Sequence, residues 1–115
     1  MNRDFAFAWR DALARLPAAD GKRFTVVFEH GTLVLELYAP RGHDPQTPHA
    51  QDELYVVVAG RGTFVCGDER KMFGCGDALF VPAGAVHRFV DFSDDLAVWV
   101  MFYGVEGGEV AASGG

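Results

Sequence analysis

The chain has 115 residues, half of them hydrophobic and 13% aromatic, with a formal charge of -6; this fits one domain with a substantial core. The net negative charge and a pI near 5.0 give no positive footprint for nucleic acid and no attraction to an anionic membrane surface. No apolar run approaches the roughly 18–20 residues of a membrane span.

The first segment reads as a helix. Phe5, Ala8, Trp9, Ala12, Leu13 and Leu16 follow the helical repeat of one apolar face, Asn2 or Asp4 offers a cap, and Pro17 ends the pattern. The simplest reading of residues 1–19 is a helix packed outside the domain. This segment lacks a basic start followed by an unbroken apolar stretch, so a signal peptide is not expected and a cytoplasmic location is. From Arg23 the period changes to strands. "RFTVVFE" runs to a turn at His30-Gly31, "TLVLELYAP" follows, and "RGHDPQTP" is a loop. "ELYVVVAG", "TFVC", "KMFG", "ALFVPAG", "VHRFVDF" and "LAVWVMFYG" are further strands separated by Gly- and Asp-rich turns. Short strands at about 8–12-residue spacing predict an all-β sandwich or barrel over residues 20–104. The tail, 105–115, is small and polar and is expected to be flexible. Asp68 to Lys71 form a charged, solvated hairpin tip. Cys66 and Cys75, with no CxxC spacing, read as reduced thiols.

"YVVVA" and "LAVWVMFY" are apolar on both faces. A sheet that faces water on one side alternates, so the second face needs a cover. A second sheet, the helix or another subunit can supply it, and a homodimer is expected.

The chemistry concentrates in "TPHAQDELYVVVAGRGTF". Alternate residues of a strand point the same way, so His49, Gln51, Glu53, Tyr55 and Val57 share one face, with Thr47 at its near end if the strand extends that far. An imidazole and a carboxylate so placed can converge on one ion. His87, in "GDALFVPAGAVHRFVDF", follows a tight connection through Pro82 and Gly84 and opens the next strand, with Phe89 and Asp91 on its face. From the last strand, either Leu96, Val98, Val100 and Phe102 or Ala97, Trp99, Met101 and Tyr103 line the interior.

These two stretches resemble the paired motifs of the cupin superfamily, in particular small single-domain cupins. The second motif is matched by Gly76, five residues, Pro82, one residue, Gly84, two residues and His87. The first motif, His-x-His, three or four residues, Glu, six residues, Gly, is matched from His49 through Glu53 to Gly60. The 15 residues between them, Arg61 to Cys75, suit a short bacterial-type cupin. The resemblance spans about Thr32 to Tyr103 and implies a jelly-roll-like barrel of antiparallel strands. It also implies a metal site made by His49, Glu53 and His87. Two departures stand out: Thr47 occupies the place of the first motif histidine, and Asp91 that of an asparagine often found after the second-motif histidine. Two histidines and a carboxylate suit Fe(II), Mn(II), Ni(II) or Zn(II) and leave coordination positions open; Gln51 is a further candidate ligand.

The family resemblance implies a metal-dependent enzyme of dioxygenase or isomerase/lyase type, with Glu53 able to serve as a base. Thr47, Tyr55, Phe89 and Asp91 are the expected pocket wall, and a small organic molecule is the expected occupant. Loss of the first motif histidine raises the alternative of a non-catalytic small-molecule-binding or sensing domain. No glycine-rich phosphate loop or arginine cluster is visible.

Overall fold

The computed structural model of the chain describes residues 5–110. Eight strands follow one short helix: α1 (Trp9–Leu13), β1 (Phe24–His30), β2 (Leu33–Tyr38), β3 (Asp52–Ala59), β4 (Gly62–Cys66), β5 (Glu69–Phe73), β6 (Ala78–Val81), β7 (His87–Val90) and β8 (Ala97–Tyr103). They form a five-stranded sheet, ordered β1-β2-β8-β3-β6, and a three-stranded sheet, ordered β5-β4-β7. Every pairing is antiparallel, as the alternating turns and short strands predict. The core lies between the sheets. It joins Tyr38, Tyr55, Val57, Val81, Val98 and Val100 from the larger sheet to Phe64, Phe73 and Phe89 from the smaller.

Burial settles the face of the last strand. Leu96 and Val98 are fully buried and Val100 nearly so, and all three belong to the core, with Phe102 packed against it. Trp99 and Met101 are only half-buried on the opposite face. That outer face is apolar beyond β8: Leu54 pairs with Met101 on one side and Phe80 on the other, and Val56 pairs with Trp99.

The helix is shorter than the apolar repeat predicts. It spans five residues, ending well before Leu16, and Phe5 stands 92% exposed instead of joining a buried face. Its N-cap position is Ala8, which offers no side-chain cap, so nothing extends the helix toward residue 5. The candidate caps Asn2 and Asp4 lie outside the described residues. What the segment does cover is the outer face of the β1–β2 end. The Phe7 ring lies 5.1 Å from that of Phe28, and Leu37 on the outward side of β2 is fully buried. Burying a side chain of that size is worth about 1.5–3 kcal/mol.

Two residues of the tail expected to be flexible bond back to the start of β3. Gly107 N–H donates to Ala50 O at 2.7 Å and Glu109 N–H to Asp52 Oδ2 at 2.7 Å. Residues 111–115 lie outside the described residues. Both cysteines are free thiols.

Two glycines hold the path of the chain near the candidate site. Gly60, after β3, has φ +89°, and a Cβ there would meet Ser93 Oγ at 2.7 Å and Leu96 Cα at 2.8 Å. Gly84, between β6 and β7, has φ +79° but open space around it. Only its backbone conformation demands glycine.

Candidate metal centre

Glu53, Tyr55 and Val57 alternate inward along β3 and are at most 1% exposed. Glu53 stands opposite Val81, the last residue of β6. From there the chain passes through Pro82 and Gly84 into the other sheet, where His87 opens β7 opposite Cys66. The crossing brings His87 over Glu53 from the facing sheet.

His49 arrives differently. The strand begins at Asp52, so the two-residue alternation does not extend back to His49 and Gln51. The loop carrying His49 is clamped instead. Its carbonyl accepts Gly84 N–H at 2.8 Å, and the buried Asp52 carboxylate accepts Ala83 N–H at 2.9 Å. The two motifs are thereby stitched together by one backbone bond and one backbone-to-carboxylate bond, donated by adjacent residues.

The result is a compact cluster. Ligand atoms of His49, Glu53 and His87 all lie within 4.8 Å of one another. Glu53 Oε1 is 3.4 Å from His87 Nε2 and 3.9 Å from His49 Nε2. The His87 Nδ1 lies 2.9 Å from Ala85 O; donation there puts the proton on Nδ1 and leaves the Nε2 lone pair facing Glu53. Burial pushes the Glu53 carboxyl up to about 7, opposed in part by the nearby Tyr55 hydroxyl and reinforced by the carboxylates of Glu36 and Asp44. Burial, followed by the neighbouring His87, lowers the His49 pKa and favours its neutral form.

Among the described residues, both Glu53 oxygens and His87 Nε2 are buried with no hydrogen-bond partner. Native interiors seldom leave polar atoms in that state. Three orphaned or near-orphaned donor atoms converging at this spacing fit a divalent ion, whose bonds of about 2.0–2.2 Å would satisfy them together.

The other expected site residues divide. Thr47 lines the cavity beside His49 and Glu53, which has a volume of about 300 Å³. Tyr55 and Phe89 are fully or almost fully buried. Their rings pack 5.0 Å apart beneath the cluster, so they form its floor, not the cavity wall. Gln51 is turned away: its Nε2 donates to Gly104 O at 2.8 Å, across to the end of β8. That corrects its assignment as a ligand, and the cause is the late start of β3. Asp91 is also displaced. The strand ends at Val90, and Asp91 is exposed with φ 49°, so it does not continue the inward face of His87 and Phe89. His30 and His43 are exposed and apart from the cluster.

Sequence reasoning missed the loop network above this floor. The Tyr55 hydroxyl donates to Gln46 Oε1 at 2.6 Å, and Gln46 Nε2 donates to Asp44 Oδ2 at 2.7 Å. Asp44 also accepts from the Tyr38 hydroxyl and from Phe89 N–H. Glu36 was missed as well, although a charged residue inside the otherwise apolar "LVLELY" was a visible signal. It lines the cavity with Phe24, Tyr38, Val100 and Phe102.

The comparisons with known proteins agree on the architecture. A model of the Cupin domain matches residues 34–103. An uncharacterized protein of Streptomyces coelicolor is 48% identical over 59 residues; the match covers 51% of this chain and 56% of that protein, little more than half its length. A cupin-2 domain protein from Shewanella frigidimarina superposes with a TM-score of 0.68 at 16% identity, covering 86% of this chain and 95% of its own. KdgF from Halomonas sp. gives a TM-score of 0.61 at 20% identity, with 70% and 76% covered. The iron(II) protein HppE gives 0.58 at 15% identity, with 70% and 48% covered. At these identities the solved structures speak for the fold, and the family match extends over more than half the chain: the protein belongs to the cupin family.

Proposed function

We propose that the protein is a metal-dependent cupin enzyme acting on a small organic molecule held in the cavity beside the cluster. The observation that carries this reading is the convergence of Glu53 Oε1, Glu53 Oε2 and His87 Nε2, all buried and unpartnered, with His49 Nε2 beside them. His49, Glu53 and His87 are the proposed ligands of Fe(II), Mn(II), Ni(II) or Zn(II). When bound, such an ion supplies Lewis acidity toward a substrate oxygen and, if redox-active, access to O₂ chemistry. The likeness of fold to the iron(II) protein HppE keeps iron(II) among the candidate ions.

The chain's own groups have separable tasks. Ala85 O holds the His87 ring in the tautomer whose Nε2 faces the site. Gly84 and Asp52 fix the loop bearing His49 against the second motif. Glu53, the one carboxylate of the cluster, is also the proposed catalytic base once it loosens from the ion, since its oxygens have no other partner among the described residues. Its burial excludes water from the atom that would take a proton. Thr47, at the exposed rim, leaves the side facing the cavity open to substrate.

The same threonine favours a second reading, a non-catalytic small-molecule-binding or sensing domain, since it removes one strong donor from the family's usual set. The two readings separate in one assay. Chelator-treated protein is compared with protein reloaded with each of the four ions, by mass spectrometry of incubated small oxygenated compounds. Metal-dependent conversion supports the enzyme; retention of a compound without conversion supports the binding domain.

We also infer a homodimer, formed through the apolar outer face around Leu54, Val56, Trp99, Met101 and Phe80. Among the described residues, the N-terminal segment covers the β1–β2 end of that sheet.

A further inference from the structure

The cavity beside the metal cluster carries an acidic group that the metal reading does not use. Glu36 lies in the middle of β2, opposite Val26 on one side and Val100 on the other. Its side chain faces the same cavity as Glu53, between the rings of Phe24, Tyr38 and Phe102. Among the described residues it makes no hydrogen bond and no ion pair. Burial alone pushes its carboxyl up to about 7, with no neighbouring cation to offset it. A half-buried carboxyl in an apolar wall costs stability unless something pairs with it.

Basic groups do occur close by, but they are committed elsewhere. Lys22 is 3.6 Å from Asp20, Arg23 Nε donates to Ala39 O at 2.8 Å, and Arg41 donates to Pro40 O and Leu96 O. None of the three lines the cavity that holds Glu36. Its lining contains two carboxyls, Glu36 and Glu53, and a single basic residue, His49, whose charged form burial disfavours. With a divalent ion on the cluster, one carboxylate and two neutral histidines leave a net charge of +1 there, so the charge of Glu36 is read most directly in the ion-free protein.

We propose that Glu36 is a specificity-determining residue that selects ligands carrying a compact organic cation, a primary or secondary ammonium on a small apolar or aromatic body. The body fits among Phe24, Val100 and Phe102, and the ammonium donates to the Glu36 carboxylate. Phenyl faces beside the charge add cation–π attraction. In the ion-free protein a carboxylate-bearing ligand would meet like charge from Glu36 and is disfavoured. The cavity of about 300 Å³ sets the size: a single ring with a short side chain, not a sugar chain or a nucleotide. The inference rests on the metal-centre reading only for calling this ligand a substrate; the recognition by Glu36 stands without an ion.

The test uses benzylamine, benzyl alcohol and benzoate as isosteric probes, titrated calorimetrically at pH 8 into the full chain, both chelator-treated and reloaded with Zn(II). In the chelator-treated wild type, benzylamine is expected to bind at least tenfold more tightly than either other probe. Glu36→Gln should reduce that preference at least tenfold while circular dichroism and unfolding show an intact fold. Benzyl alcohol affinity should change little, which separates loss of charge recognition from loss of the cavity. Failure of wild type to bind benzylamine at millimolar concentration, equal binding by wild type and Glu36→Gln, or benzoate binding as tightly as benzylamine would each overturn the proposal. If Zn(II) is never retained but the benzylamine preference and its loss in Glu36→Gln persist, the metal centre fails and the recognition role stands.

Discussion

Gln46 Oε1 accepts a hydrogen bond from the Tyr55 hydroxyl, at 2.6 Å, while its own amide is held the right way round by donation to Asp44. Tyr55 has one proton to give, and burial pushes its pKa far above the ordinary tyrosine range, so it stays a neutral donor. With that hydroxyl directed at Gln46, the carboxylate of Glu53, two residues along the same face of β3, has no hydrogen-bond partner among the described residues. Gln46→Leu should cost about 1–3 kcal/mol, since it orphans a buried hydroxyl. Adding Tyr55→Phe to Gln46→Leu should recover part of that loss, because the orphan is then gone. Urea unfolding of the two singles and the double checks this; strictly additive losses would show that the pair is not coupled.

The two glycines near the site should respond differently to alanine. Gly84→Ala meets only the left-handed backbone cost, about 1–2 kcal/mol, because its surroundings are open. Gly60→Ala meets that cost and a clash with Leu96 Cα at 2.8 Å, and should lose more than about 3 kcal/mol or fail to fold. Thermal or denaturant midpoints decide the order, and equal losses would contradict it.

Stability should depend on pH through Glu36. Its carboxyl rises from the ordinary value of 4.5 to about 7 in the fold, so the native state holds the proton more tightly than the unfolded chain does. The contribution is therefore intact below about pH 4.5 and lost as pH rises through 7. Glu36→Gln should be close to wild type at pH 4 and more stable by roughly 1–3 kcal/mol at pH 8. Glu53 shifts in the same direction, in part through the Glu36 carboxylate, so the gain in the variant includes relief of that repulsion. Denaturant unfolding at the two pH values makes the comparison, and a variant no more stable than wild type at pH 8 would contradict it.

The apolar outer face predicts that the wild type is a dimer at micromolar concentration and that Met101→Glu shifts it to a monomer. Met101 pairs with Leu35 and Leu54 at the middle of that face and is not part of the core between the sheets. Light scattering after size exclusion reads both. A monomeric wild type would contradict the interface, and a dimeric Met101→Glu would place it elsewhere.

Much of this architecture was legible because strands announce themselves through local chemistry. The apolar runs of β3 and β8, the turns between them, and the spacing of Pro82, Gly84 and His87 are properties of neighbouring residues. So was the triad, since each member stands at a motif position. What was not legible depends on where an element starts and what lies across space. Gln51 was misplaced because alternation has no meaning before the strand begins at Asp52. Asp91 failed for the mirror reason, since β7 ends at Val90. Asp44, Gln46 and Asp52 sit in or beside a loop whose bonds reach residues up to 57 positions away, and no periodicity marks such partners. The face of β8 was undecidable in a strand apolar on both sides until the position of the smaller sheet was known.

The central claim is that His49, Glu53 and His87 hold one divalent transition metal. The direct measurement is metal content by plasma mass spectrometry after chelator treatment, reloading with Fe(II), Mn(II), Ni(II) or Zn(II), and removal of free ion. Wild type, His87→Ala and the near-isosteric Glu53→Gln are compared, with circular dichroism confirming the fold of each. The account predicts close to one ion per chain for wild type with at least one of the four metals, and a loss of tenfold or more in both variants. Wild type that retains none of the four, or variants that retain as much as wild type, would contradict it.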